Sequence, residues 1–149
     1  MTGLSLAINM ALRLSYPVAD PIVTQPFGNK LIILGEDVYA QWGYPGHNGI
    51  DFRAEMGTEV LACDDGKIVA TPNDPEGFGT YVKIKHEWGI SYYCHLSRKK
   101  SPKAVMRGDV IGYSGDSGFS TAPHLHFGLK VTNAVCPGYK GWSDPTLFL

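Results

Sequence analysis

Apolar and polar positions alternate along much of the chain, and the alternation has the period of a strand. In HLHFGLKV, residues 124–131, Leu125, Phe127, Leu129 and Val131 fall on one side, and His124, His126, Gly128 and Lys130 on the other. TYVKIKH, residues 80–86, sets Val82 and Ile84 against Tyr81, Lys83 and Lys85. Glu87-Trp88-Gly89 reads as a turn, after which ISYYCHL places Ile90, Tyr92, Cys94 and Leu96 on one face and Ser91, Tyr93 and His95 on the other. ACDDGKIVA predicts a hairpin, with Asp65-Gly66 between two apolar runs, and DVIGYSG predicts a further strand. Pro17, Pro21 and Pro26 make residues 15–28 extended and loop-like. No stretch carries a convincing helical period, and SRKKSPKAVM has room for a turn or two that Pro102 limits. The pattern predicts one all-β domain with a single antiparallel, sandwich-like sheet.

Bulk composition narrows the class. At 149 residues the chain is long enough for one domain that buries ~70% of its unfolded surface. A hydrophobic content of 44% and a charged content of 18% suit a globular chain and exclude a disordered one. The net charge of −1 offers no basic field for nucleic acid, and no apolar run has the length of a membrane span. Cys63, Cys94 and Cys136 form no CxxC pair; Cys63 and Cys94 lie in strand-like runs and are expected to be buried free thiols. Residues 1–16 lack a basic n-region and a clear cleavage site and carry Arg13. They are read as a leader of unclear role rather than a signal peptide, with Met10 as a candidate internal start.

Candidate chemistry sits in three places. His124 and His126 share a strand face at ~7 Å, from the ~3.3 Å rise per residue, which suits metal binding or proton transfer. HxH alone is also compatible with two half-exposed surface histidines. In GHNGIDF, His47 and Asp51 would lie ~13 Å apart on a regular strand, too far to share an ion with ~2 Å bonds. Pro45, Gly46 and Gly49 argue against a helix, so a shared ion requires a loop bent at Asn48-Gly49; the alternative is a polar turn with a capping Asp. YYCHLS supplies His95 on the face opposite Cys94, and His86 ends a strand beside a turn, where a structural role is expected.

In order, GHNGIDF, YYCHLS, VMRGDVIGYSGDSG and TAPHLHF resemble the lysostaphin and LytM family of zinc endopeptidases that cut bacterial peptidoglycan. The similarity runs from PIVTQPFG at residue 21 to SDPTLFL at the C-terminus. It implies a catalytic domain over residues 17–149 with long loops around a groove, and Zn2+ held by His47, Asp51 and His126. The resemblance further implies that His95 and His124 are catalytic. Three protein ligands leave the fourth tetrahedral position open, as catalytic zinc sites do. Tyr44 and Tyr93 are candidate oxyanion donors, with ordinary packing the simpler role for each. Ala122 stands where relatives usually have glycine, and CPGYKGWS, residues 136–143, looks like an inserted loop that shapes the groove or covers a sheet edge.

The expected partner is bacterial peptidoglycan peptide, with no nucleic acid, no membrane span and a monomer favoured. With no signal peptide recognised, delivery by phage or by lysis is favoured, and action is expected at the cell wall. Two other readings are a non-catalytic relative that binds wall or activates a hydrolase, and a mononuclear iron oxygenase. The latter has the same ligand types as His47, Asp51 and His126. Specificity is expected in residues 29–46 and 132–143, which the pattern does not fold.

Overall fold

The computed structural model describes residues 12–149. In chain order these form β1 (Val23–Gln25), β2 (Ile32–Ile33), β3 (Glu36–Asp37), β4 (Ile50–Arg53), β5 (Glu59–Leu61) and β6 (Gly66–Val69). They continue as β7 (Thr80–His86), β8 (Gly89–Lys99), β9 (Ala104–Val105), β10 (Val110–Ser114) and β11 (His124–Val131). The main sheet runs β1-β4-β11-β8-β7-β6-β9 with antiparallel pairings. The long β8 uses Gly89–Cys94 to pair with β11 and its far end to pair with β10, which in turn pairs with β5. β2 and β3 form a separate two-stranded ribbon. The expected all-β antiparallel architecture is therefore present.

One face of the sheet carries the principal core. Leu125, Phe127, Leu129 and Val131 of β11 pack there with Ile50 and Phe52 of β4, Val82 and Ile84 of β7, and Tyr93 of β8. Alternation dictates this, since each strand offers that face every second residue. The described part of the leader belongs to the same core: Leu14 is buried, and its amide donates to the Phe148 carbonyl at 2.7 Å. Residues 1–11 of the leader lie outside the described residues.

Three local expectations are corrected. Asp65-Gly66 does not close a hairpin, because β5 pairs with β10 while β6 pairs with β7 and β9. A two-residue hairpin turn needs positive φ at its centre, and neither Asp65 nor Gly66 has it. The corner is instead held by neighbours: Asp64 accepts from Trp88 Nε1 at 2.9 Å, and Asp65 Oδ1 accepts from the Arg107 amide at 2.8 Å. Two short 3-10 turns, Val38–Trp42 and Pro145–Leu147, escape the periodicity because they are too short to show one. Each is capped by an aspartate, Asp37 accepting from the Tyr39 amide and Asp144 from the Thr146 amide.

The third correction bears on the site. Alternation in β8 holds from Ile90 to Cys94 and then breaks. His95 adopts a positive φ of 64°, and between the pairs Thr80↔Leu96 and Val82↔Tyr93 β8 carries one residue more than β7. This is a bulge. Leu96 turns into the principal core, while His95 swings to the side of the sheet that carries His126 instead of the core side occupied by Tyr93.

Candidate active site

Three segments converge on the second face of the sheet. His47 comes from the loop before β4, Asp51 from β4, and His124 and His126 from β11, with His126 directly opposite Asp51 and His124 opposite Arg53. The loop bends at Asn48-Gly49 as required, though not through a special φ at the glycine. Gly49 is needed for space: an added Cβ would meet the His126 ring at 2.8 Å. The bend brings His47 Nε2 to 3.2 Å from Asp51 Oδ1, and His126 Nδ1 lies 2.9 Å from His47 Nε2 and 3.0 Å from Asp51 Oδ1.

The protons in this triangle can be assigned. His47 Nδ1 lies 3.2 Å from the Pro26 carbonyl, which only accepts, so Nδ1 carries the hydrogen and Nε2 presents a lone pair. Burial works to raise the Asp51 carboxyl, but the neighbouring His126 and His47 overcome it and hold the group well below the usual carboxylate range. Burial also lowers His126, favouring its neutral ring. Its Nδ1 faces two acceptors, Asp51 Oδ1 and the His47 Nε2 lone pair, and so carries the hydrogen of the neutral ring, while Nε2 is buried without a partner; a cation bound between the three would take the place of that hydrogen. Two imidazole nitrogens and a carboxylate oxygen then converge at 2.9–3.2 Å. Those separations approach the ~3.3 Å edge of a tetrahedron with ~2.0–2.1 Å bonds, so the donor set fits a zinc-like cation.

His95 and His124 stand beside the triangle with ring centroids 4.8 Å apart. Each has Nδ1 at 2.8 Å from a backbone carbonyl, Ser117 for His95 and Ala122 for His124, which leaves Nε2 as the lone-pair nitrogen of the neutral ring. His124 Nε2 lies 3.6 Å from Asp51 Oδ2. Burial, aided by His126 and His124, pushes His95 down to about 3. The five residues singled out in the sequence thus share one cleft.

Of the other candidates, His86 lies in the principal core side of β7 and β8. Its Nδ1 donates to the Asp65 carbonyl at 2.6 Å, Nε2 lies 2.7 Å from Ser91 Oγ, and the ring stacks on Trp88 at 4.4 Å. With Nδ1 protonated, Nε2 accepts from Ser91, Ser91 from the Tyr93 hydroxyl, and Tyr93 from the Cys63 amide, in one buried relay. Tyr93 is therefore structural. Cys63 and Cys94 are buried free thiols, and Cys136 is a partly exposed one.

The cleft above the triangle has a volume of about 410 Å³ and mostly apolar walls. Trp42 and Phe119 meet edge to face at 5.0 Å across it, and Phe78 stacks on the His126 ring at 5.8 Å. Tyr39 packs on His47 at 5.4 Å and donates to Gln25 at 2.9 Å; burial and the Asp51 charge push its phenol up to about 12, so it stays protonated. The sequence pattern did not single out Tyr39, Trp42, Phe78 or Phe119, because loop aromatics carry no periodicity. The segment 136–143 covers both an edge and a face of the sheet: the Ser143 amide donates to the Leu129 carbonyl at 2.8 Å along β11 past the end of β4, and Trp142 lies on Gly128, where a Cβ would come within 2.8 Å of its ring. It also braces the cleft wall, with Trp142 Nε1 donating to Tyr44 Oη at 3.1 Å and Lys140 Nζ to the Trp42 carbonyl at 2.7 Å.

Residues 45–137 match the model of Peptidase family M23. The chain is 41% identical over 107 residues to the glycyl-glycine endopeptidase ALE-1 of Staphylococcus capitis, covering 69% of this chain and 29% of that protein. It is 47% identical over 91 residues to the peptidoglycan DD-endopeptidase ShyA of Vibrio cholerae serotype O1, covering 57% of this chain and 20% of that protein. The chain thus spans less than a third of these relatives' length. Among solved structures, the catalytic domain of lysostaphin from Staphylococcus simulans superposes with a TM-score of 0.67 at 31% identity, covering 85% of this chain and 90% of that one. A point mutant of the catalytic domain of the prophage-encoded M23 protein EnpA from Enterococcus faecalis gives 0.68 at 26% identity, covering 91% and 96%.

Proposed function

We propose, from the premise that the chain belongs to peptidase family M23, that it is a zinc-dependent endopeptidase hydrolysing peptide bonds in bacterial peptidoglycan. The observation that carries this reading is the convergence of His47 Nε2, Asp51 Oδ1 and His126 Nδ1, which would hold the ion. The names of ALE-1, ShyA and lysostaphin support the substrate class. Zinc bound there supplies Lewis acidity, drawing the pKa of water from ~15.7 towards ~7 and polarising a carbonyl oxygen.

The remaining chemistry belongs to the chain. The Nε2 lone pairs of His95 and His124 face the cleft with their Nδ1 atoms tied to carbonyls, so both rings are aimed as proton acceptors. A ring that has taken the proton of the attacking water delivers it to the leaving amine. Asp51 Oδ2 lies 3.6 Å from His124 Nε2, which sets that ring edge beside the triangle of His47, Asp51 and His126. Trp42, Phe78 and Phe119 give the cleft apolar walls, which lower the local dielectric around these electrostatic contacts. The substrate places the action of the protein at the bacterial cell wall. Among the described residues no helix is long and apolar enough to cross a membrane.

The test is digestion of purified peptidoglycan with zinc-loaded and metal-stripped protein, read by mass spectrometry. The expected result is new free amines that require zinc and disappear in His126→Ala. Intact wall in the presence of zinc-loaded protein would overturn the proposal.

A further inference from the structure

The region around Asp51 and His124 has two flanks of different chemistry. On one lies the aromatic cleft, where Asp51 and Asp74 are the charged side chains besides the histidines and no lysine or arginine lines the wall. On the other lies a second cleft that shares Asp51 and His124 and is lined by Lys30 and Arg53. Arg53 ends β4 two residues after Asp51, on the same face of the strand, and is the register partner of His124. Among the described residues no carboxylate pairs with Arg53 or Lys30, whereas Arg107 elsewhere is engaged by Asp64 at 3.1 Å. Two cations that no carboxylate pairs among the described residues thus line the cleft beside the proposed proton-transfer residue His124, Arg53 directly opposite it in register, and on one flank only.

We infer that Arg53, assisted by Lys30, binds a free carboxylate of the substrate on the leaving-amine side of the scissile bond. This rests on the endopeptidase reading and sharpens it. The preferred substrate is an amide whose leaving nitrogen sits on a carbon bearing a free carboxylate. Hydrolysis breaks the C–N bond, the acyl carbon gains the hydroxyl of water, and the amine keeps its carboxylate and gains a proton. Two wall structures have this chemistry: a D-alanyl bond to the D-centre of diaminopimelate, and the terminal D-alanyl-D-alanine of an uncrosslinked stem. A glycyl-glycine bond inside a cross-bridge does not, because its leaving residue continues as an amide. Arginine suits the task because its planar fork matches a carboxylate with two parallel hydrogen bonds.

Four substrates test this with the zinc-loaded protein: a D-alanyl–diaminopimelate dimer with the D-centre carboxylate free, the same dimer amidated there, a pentaglycine-bridged dimer, and a stem ending in D-alanyl-D-alanine. The free dimer is expected to show kcat/KM roughly tenfold or more above the amidated one, as loss of a charge-assisted pair predicts. Arg53→Gln brings that ratio close to one through the KM of the free dimer, and Arg53→Lys restores part of it. Cleavage of the D-alanyl-D-alanine stem adds the second source of the carboxylate to the substrate range, and its resistance confines the range to cross-links; both agree with the inference. Equal rates on free and amidated dimers, a preference for the glycine bridge, or an unchanged ratio in Arg53→Gln overturns it while leaving the endopeptidase in place. Failure to cut all four substrates removes the endopeptidase reading and this inference with it.

Discussion

Gly49 lies against the ring of His126. A Cβ on Gly49 would stand 2.8 Å from both Cε1 and Nε2 of that ring and 2.5 Å from the Phe127 carbonyl oxygen. The glycine thus sets how deeply the ring sits and where Nδ1 points. Gly49→Ala is expected to destabilise the domain by about 1–3 kcal/mol through overpacking. It should also weaken zinc binding by roughly tenfold or more, as displaced ligand orientation does. Thermal melting and competition with a chromophoric chelator check both, and wild-type affinity in the variant would show that the ring tolerates the shift.

Replacing His95 or His124 separates proton transfer from metal binding. His95→Ala and His124→Ala are expected to lower kcat by about 10²–10⁴-fold, the usual contribution of a general acid or base. Metal content should stay at the wild-type level, because neither ring belongs to the triangle of His47, Asp51 and His126. Steady-state kinetics with metal analysis of the same samples checks this. Loss of metal in either variant would make that histidine a ligand instead.

His86 makes the fold sensitive to acid. Burial lowers its pKa, opposed in part by the Asp65 carbonyl, so the folded protein resists a proton that the unfolded chain takes up below about pH 6.5. Stability contributed by neutral His86 is therefore complete above that pH and lost as pH falls below it, by up to ~1.4 kcal/mol per pH unit. Urea unfolding between pH 5 and 8 should show a shallower acid slope for His86→Gln than for wild type. Identical slopes would place the sensitivity in other groups.

Trp142→Phe keeps a ring over Gly128 and removes the donor to Tyr44 Oη. The loss of one such bond costs about 0.5–1.5 kcal/mol. Because Tyr44 and Trp42 belong to the cleft wall, KM is expected to rise more than kcat falls, and Lys140→Met should act in the same direction through Trp42. Kinetics on a soluble peptidoglycan fragment decide it; a pure stability effect would leave KM unchanged.

The sequence disclosed what has a period or an ordered motif. Leu125, Phe127, Leu129 and Val131 showed the core face of β11, and His124 and His126 the opposite face, because strand alternation is local. The requirement for a bent loop at His47–Asp51 followed from reach alone, and the five histidine and aspartate positions lie together in the cleft. What alternation misread was His95: the bulge that turns it follows from its pairing with β7, a tertiary fact that no local pattern contains. Asp65-Gly66 failed as a hairpin for the same reason, Asp65 and the adjoining Asp64 being engaged by Arg107 and Trp88 from turns distant in sequence. The walls formed by Tyr39, Trp42 and Phe119 arise from loops whose conformation depends on each other.

The central claim is that the triangle of His47, Asp51 and His126 holds the metal on which hydrolysis depends. The most direct measurement is zinc stoichiometry and peptidoglycan turnover determined on the same samples of wild type and Asp51→Asn. One zinc per chain and zinc-dependent cleavage are expected in the wild type, with parallel loss of both in Asp51→Asn. Cleavage that persists in Asp51→Asn without bound zinc would contradict the claim.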